Sequence, residues 1–102
     1  MLKIALIDDK SYGIKQIKQL HKPGKYTLDY YETFQEFQKN KKYYDIIYLD
    51  YYLDKEGITG DTVVREVKKY CKKLIAFSSM KEGCDEIVKA GADEAILKIY
   101  IN

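Results

Sequence analysis

The stretch Tyr43-Tyr44-Asp45-Ile46-Ile47-Tyr48-Leu49-Asp50-Tyr51-Tyr52-Leu53 governs the interpretation of the whole chain. Its apolar run, Ile46 to Leu49, is short, unbroken and rich in β-branched and aromatic residues, which is typical of a strand buried on both faces. Asp50 closes the run, and open α/β sheets bind their ligands at the carboxyl ends of strands. An aspartate at a strand end is usually only a turn former. The importance of Asp50 therefore depends on what the other strands deliver to the same edge.

The size and composition of the chain limit the classes of protein it can be. Its 102 residues predict a single domain with one modest core. Lys and Arg number 18 against 16 Asp and Glu, a balance that argues against a nucleic-acid partner, since such proteins carry a clustered basic face. No apolar run approaches the roughly 18 residues of a membrane span, and no signal peptide precedes the first strand. We therefore expect no membrane partner and a cytoplasmic protein. Cys71 and Cys84 lack the spacing of metal ligands, which favours two reduced thiols.

Apolar runs and helical periodicities alternate along the chain. Five strands are predicted, at Leu2–Ile7, Tyr26–Tyr31, Ile46–Leu49, Leu74–Phe77 and Ala95–Leu97. About four helices lie between them, and the third is expected to carry Val63, Val64, Val67, Tyr70 and Cys71 on one side. Ser11 and Thr33 are predicted N-caps of the first two helices. This alternation predicts an α/β fold, a flavodoxin-like doubly wound parallel sheet of strand order 2-1-3-4-5.

Four of the five strands end in residues suited to phosphate chemistry: Asp8-Asp9, Asp50, Ser78 and Lys98. Taken alone, the acidic pair could cap a helix, Ser78 could form a turn and Lys98 could be a surface lysine. In the predicted strand order, however, the first and third strands are neighbours at the topological switch point. The three carboxylates would then converge, and their repulsion favours a hard divalent cation such as Mg²⁺.

An aspartate in such a site can act as a nucleophile and accept a phosphoryl group as an acyl phosphate. This transfer depends on positioning and on neutralising the charge of the phosphoryl oxygens. Mg²⁺ and the Lys98 ammonium would supply positive charge, and the Ser78 hydroxyl would donate a hydrogen bond.

The order of these motifs resembles the receiver domains of two-component response regulators. The matching residues are Asp8-Asp9, Asp50, Gly60, Ser78, Gly91-Ala92-Asp93 and Lys98, and the resemblance runs from about Leu2 to Lys98. It implies Mg²⁺-dependent phosphorylation of Asp50 by a histidine kinase or a phosphotransfer protein. It also implies that Asp9, Asp50 and the Tyr52 carbonyl ligate the metal, while Asp8 acts mainly through water. Such a domain is a phosphoacceptor rather than a conventional enzyme.

Three departures from the family pattern concern signal relay rather than chemistry. Ile99 follows Lys98 where the family usually has proline, and Ala95 stands at the position of the aromatic switch residue. The four residues after Lys98 are too few for the family's fifth helix, so we expect that helix to be missing from this sequence. These departures favour an alternative hypothesis, a phosphorylation-independent pseudo-receiver that acts as a protein-interaction module. A third reading, a phosphohydrolase of the haloacid dehalogenase type, is disfavoured because Tyr52 occupies the position of that family's second aspartate.

Two further expectations follow from the resemblance. Tyr52 and Met80 stand where receivers flank the hydrolytic water, and neither can orient it, which predicts slow autodephosphorylation. Without a fifth helix, one apolar face of the sheet would need another cover, because parallel strands are buried on both faces. A second copy of the chain, a partner protein or a tail carrying Ile99 and Ile101 could provide it. A homodimer through this face is the first expectation, since twofold association is the commonest oligomer.

Overall fold

Five strands and four helices alternate in the computed structural model, which describes residues 1–101. The strands are β1 (Leu2–Ile7), β2 (Tyr26–Tyr31), β3 (Tyr44–Leu49), β4 (Cys71–Ser78) and β5 (Glu94–Leu97). The helices are α1 (Ile14–Leu20), α2 (Phe34–Asn40), α3 (Val64–Lys68) and α4 (Lys81–Lys89). Between β3 and α3 the chain forms a short antiparallel hairpin that pairs residues 52–53 with 58–59. The hairpin was not predicted, because its turn formers indicate only a loop.

The five strands form one parallel sheet in the order β2-β1-β3-β4-β5. This confirms the predicted doubly wound α/β fold and the edge position of β2. Within the sheet, Ile7 of β1 pairs with Leu49 of β3, and Ser78 of β4 pairs with Leu97 of β5. The register therefore brings the residues that follow β1 and β3 to the same point of the carboxyl edge.

The two faces of the sheet are covered unequally. Helices α2, α3 and α4 pack on one face, where Phe37, Val67 and Ile87 are fully buried. On the other face α1 is the only helix within residues 1–101 that contributes to the smaller core. This core consists of Ile4, Leu6, Ile17, Tyr48, Ile75 and Phe77. Because residues two apart in a strand share a face, Lys73 lies on this second face, and its ion pair with Glu94 joins β4 to β5 there. Charged side chains thus occupy part of the area that α1 leaves open.

The beginning of β4 is the main error in the predicted element boundaries. Tyr70 and Cys71 were expected on the third helix, yet α3 ends at Lys68 and Cys71 already belongs to β4. A 3₁₀ turn at Gly60–Val63 also replaces the expected first turn of that helix. The reason is pairing with β3: the amide of Tyr44 donates to the carbonyl of Tyr70, and Cys71 pairs with Tyr44 in the sheet. Sheet formation with a distant segment overrides the local helical periodicity.

Of the two predicted helix N-caps, one is confirmed and the other is wrong. Thr33 is the N-cap of α2, where its hydroxyl accepts a hydrogen bond from the amide of Glu36 at 3.1 Å. Ser11 does not cap α1: the N-cap is Gly13, and Ser11 contributes only its carbonyl, which accepts from the amide of Ile14. No helix within residues 1–101 combines the length and the apolar character needed to cross a membrane.

Residues 98–101 form no helix, so the described part of the chain has four α-helices, as predicted. This segment runs beside α1, and the ring of Tyr100 lies 5.8 Å from that of Tyr12. Although the sequence suggested a bare face, Ile75 and Phe77 are buried within the single chain. The exposed apolar side chains near the end of β5 are Leu97, Ile99 and Tyr100.

Candidate functional site

Three aspartates meet at the carboxyl edge of the sheet. Asp8 follows β1 and Asp50 follows β3, and the amide of Asp50 donates to the carbonyl of Ile7 at 3.0 Å. One carboxylate oxygen from each of Asp8, Asp9 and Asp50 lies within 4.8 Å of the others. Asp8 is fully buried and Asp50 is 4% exposed, whereas Asp9 is half-buried. Such buried carboxylates are unusual unless they are paired or bind a cation.

Lys98 provides the positive charge in this cluster. Its Nζ lies 2.6 Å from Oδ2 of Asp8 and 3.3 Å from Oδ1 of Asp50. The side chain is almost completely buried, and Nζ lies 4.9 Å from the centre of the Tyr12 ring. The ring face adds a favourable cation–π contact to the two ion pairs. Residues 90 positions apart in the sequence thus share one buried ion-pair network.

Burial dominates the electrostatics of the cluster. It raises the pKa of Asp50 to about 7, and the neighbouring charge of Asp8 adds to this effect against the opposing influence of Lys98. Burial also raises the pKa of Asp8, although Lys98 opposes the shift. For Lys98 burial disfavours the charged form, but the carboxylates of Asp50 and Asp8 outweigh it and raise the pKa of the ammonium. The site is therefore short of positive charge.

The donor set fits a hard divalent cation. Three carboxylates face a single ammonium, and oxygen ligands of this kind suit Mg²⁺. Asp8 already accepts hydrogen bonds from Lys98 and from the amide of Lys10. One oxygen of Asp9 accepts from the amide of Asp54 at 3.1 Å, which ties the hairpin to the end of β1. Asp9 and Asp50 are thus less heavily engaged than Asp8 and are better placed to accept a cation.

Ser78 and Tyr52 lie near the cluster in different ways. Ser78 is fully buried at the end of β4, and its carbonyl accepts from the amide of Lys98 at 2.8 Å. Its hydroxyl oxygen accepts from the amide of Met80 at 3.3 Å, which leaves the O–H free to donate. Tyr52 opens the hairpin two residues after Asp50, with its side chain 41% exposed. The role of the Tyr52 carbonyl as a metal ligand remains a prediction.

Two residues that support the site, Gly60 and Gln16, were not predicted to contact it. Gly60 was noted only as a family match, yet a Cβ atom there would lie 2.1 Å from the carbonyl oxygen of Asp50. Gln16 of α1 was not noted at all, although its buried side chain bonds to the backbone on both sides of Lys98. No signal in the sequence indicated the role of Gln16, because its partners lie more than 80 positions away.

Comparisons with known proteins agree with this architecture. No protein-family model and no curated protein matches the sequence. Solved structures do match: the response regulator TrrA from Thermotoga maritima, in complex with Mg²⁺ and BeF, is 25% identical with a TM-score of 0.76, and the match covers 97% of this chain and 88% of that one. A CheY-like receiver domain protein from Methanospirillum hungatei JF-1 is 20% identical with a TM-score of 0.74, over 100% and 84% of the two chains.

A response regulator from Burkholderia pseudomallei, solved with a phosphorylated aspartic acid and a calcium ion, has a TM-score of 0.78 at 15% identity. That match covers 99% of this chain and 62% of the other. The similarity in all three cases extends over nearly the whole described sheet and its helices. The chain therefore has the same fold as the receiver domains of response regulators.

Proposed function

We propose that this chain is a phosphoacceptor receiver domain of two-component or phosphorelay signalling, phosphorylated on Asp50 with Mg²⁺ present. The donor would be a histidine kinase or a phosphotransfer protein, acting in the cytoplasm. The observation that carries the proposal is the buried cluster in which Asp50 meets Asp8, Asp9 and the Lys98 ammonium. Structural neighbours described as Mg²⁺-bound and as phosphorylated on aspartate support it.

In this reaction a carboxylate oxygen of Asp50 would attack the phosphorus atom of the donor. The new bond is an acyl phosphate, and the bond from phosphorus to the donor nitrogen breaks with its electron pair remaining on the donor. Lys98, 3.3 Å from Asp50, would hold its ammonium against a phosphoryl oxygen. The free O–H of Ser78 would donate to another of those oxygens. Catalysis of this kind rests on positioning and charge neutralisation.

The residues that would hold Mg²⁺ are Asp9, Asp50 and the carbonyl of Tyr52, with Asp8 acting through water. When bound, Mg²⁺ supplies the positive charge that neutralises the carboxylates and the phosphoryl oxygens. The clustered carboxylate oxygens support this assignment.

We expect Asp50→Asn to abolish phosphorylation, because an amide cannot attack the donor. Incubation with a small-molecule phosphodonor and Mg²⁺, followed by intact-mass measurement, should show one added phosphoryl group on the parent and none on the variant. The fold should persist or become slightly more stable, since one of three crowded carboxylates is removed. Asp85→Asn, at an exposed position on α4, is the matched control and should react like the parent.

The other possible outcomes of this experiment would contradict either the choice of Asp50 as acceptor or the proposed function. A variant that is still phosphorylated would show that Asp50 is not the acceptor. A parent that never acquires phosphate would favour the pseudo-receiver, and turnover of added phosphate esters would indicate a phosphohydrolase.

Following the adduct over time also measures its loss, which we expect to be slow because Tyr52 and Met80 carry no carboxylate or amide to orient water.

A homodimer remains part of the proposal, through the apolar surface beside β5. Leu97, Ile99 and Tyr100 are 50%, 53% and 73% exposed, and Ile101 is half-buried. This surface is smaller than the sequence suggested, since the charged pair of Lys73 and Glu94 borders the same sheet face. We expect sedimentation at micromolar concentration to show a dimer that Ile99→Glu combined with Ile101→Glu dissociates. A parent that sediments as a clean monomer would exclude the dimer.

A further inference from the structure

Lys98 lies at the point where the chain leaves the sheet. Strand β5 ends at Leu97, and the last hydrogen bond that ties this segment to β4 runs from the amide of Lys98 to the carbonyl of Ser78. In a parallel ladder the backbone groups on either side of Lys98, the carbonyl of Leu97 and the amide of Ile99, point away from β4. Without a hydrogen-bond partner on that side, the backbone at Lys98 would be held only by its hydrogen bond to the carbonyl of Ser78.

The side chain of Gln16 supplies that partner. Its Nε2 donates to the carbonyl of Leu97 at 2.9 Å, and its Oε1 accepts from the amide of Ile99 at 2.8 Å. A residue on a parallel neighbouring strand would bond to these same two groups, one on each side of Lys98. A primary amide carries the same donor and acceptor as a peptide group. Gln16 thus imitates one residue of a sixth strand, supplied by a helix.

The position of Gln16 is fixed by its surroundings. The side chain is 8% exposed, and the neighbouring Ile17 is fully buried in the core beneath α1. At the start of the helix, a Cβ atom on Gly13 would lie 2.7 Å from the Phe77 ring and 3.0 Å from Cδ of Lys98. The absence of a side chain at Gly13 therefore lets α1 approach β4 and the lysine closely. A well-packed helix end is a rigid base for the two hydrogen bonds.

We propose that Gln16 is a positioning residue for the phosphoryl transfer, which it serves by fixing the backbone of Lys98. This inference rests on the proposed function, because the position of Lys98 affects phosphoryl transfer only if its ammonium contacts a phosphoryl oxygen. Gln16 does not touch Asp50 or the incoming phosphate and acts only through Lys98. Small displacements of a reacting group are costly, and a 1 Å shift can reduce a rate by about 100-fold.

The test compares two glutamines of the same helix. Gln16→Met keeps the length of the side chain but removes both hydrogen bonds, whereas Gln19→Met makes the same change at an exposed position. With a small-molecule phosphodonor and Mg²⁺, we expect Gln16→Met to form the adduct at least about tenfold more slowly than the parent. Gln19→Met should react at the parent rate.

A second comparison separates positioning of Lys98 from simple support of the chain end. In a Lys98→Met background, followed over longer incubations, adding Gln16→Met should slow the reaction no further, because the group that Gln16 positions is gone. If Gln16→Met reacts at the parent rate, or slows the reaction by the same factor in both backgrounds, the proposal is wrong.

Failure of the proposed function would be recognised separately. If the parent forms no adduct, urea unfolding of the parent, the two single variants and the double variant still measures the coupling between Gln16 and Lys98. Residues that act through one another give non-additive effects, whereas independent ones add. The loss of unfolding midpoint caused by Lys98→Met should be smaller in the Gln16→Met background. Equal losses in the two backgrounds would overturn the inference even without phosphorylation.

Discussion

Lys98→Met is expected to lower the free energy of unfolding by about 3–5 kcal/mol, the usual cost of removing one partner from a buried ion pair. Methionine fills a similar volume, so the effect should come from charge rather than from a cavity. Without the ammonium, Asp8 and Asp50 would remain buried beside each other with no positive group between them. Urea denaturation in the absence of Mg²⁺ measures the change, and intact-mass measurement should show severely slowed phosphorylation.

Lys73→Met is the matched control, because it removes a lysine from an ion pair with Glu94 that is about half exposed. Exposed pairs of this kind contribute little to stability, because water and salt screen their charges. Adding Asp50→Asn to Lys98→Met should recover part of the lost stability, since it removes one of the two unpaired charges. Equal effects of the two lysine variants would mean that Lys98 is not a buried ion-pair partner in solution.

The parts of the fold that the sequence predicts well are those set by local pattern. Most of the strands could be recognised from their apolar runs, and the convergence of Asp8 with Asp50 follows from the order and parallel register of β1 and β3. Lys98 could be placed at the same edge because β5 must run in the same direction as its neighbours. These predictions use periodicity and topology, both of which are visible without coordinates.

Contacts made by side chains across elements could not be predicted in this way. Tyr44 is 3% exposed, and its hydroxyl bonds to Tyr31 and donates to Asp29 at 2.7 Å. That network depends on how β2 and β3 lie on either side of β1. The same holds for Gln16, whose partners lie more than 80 positions away in the sequence. No local pattern records such distances.

Gly60→Ala is expected to destabilise the chain by about 3 kcal/mol, at the upper end of the usual cost of overpacking. The added Cβ would lie 2.1 Å from the carbonyl oxygen of Asp50 and 3.1 Å from its carbonyl carbon. Both are backbone atoms, so no side chain can rotate away to relieve the contact. Either the hairpin or Asp50 must move, and the hydrogen bond from the Gly60 amide to the carbonyl of Tyr51 would be strained.

Gly57→Ala tests whether this effect belongs to the contact with Asp50 or to any change in the hairpin loop. Gly57 has a φ of +67° and open space around its Cβ position, so alanine there should cost only the roughly 1–2 kcal/mol of a left-handed backbone. We expect Gly57→Ala to be phosphorylated almost as fast as the parent, whereas Gly60→Ala should lose both stability and phosphorylation rate, because its clash displaces Asp50, the proposed acceptor. Urea denaturation and adduct formation measured on both variants decide the matter. If the two alanines prove equivalent in both measurements, the close approach of Gly60 to Asp50 is not what holds Asp50 in place.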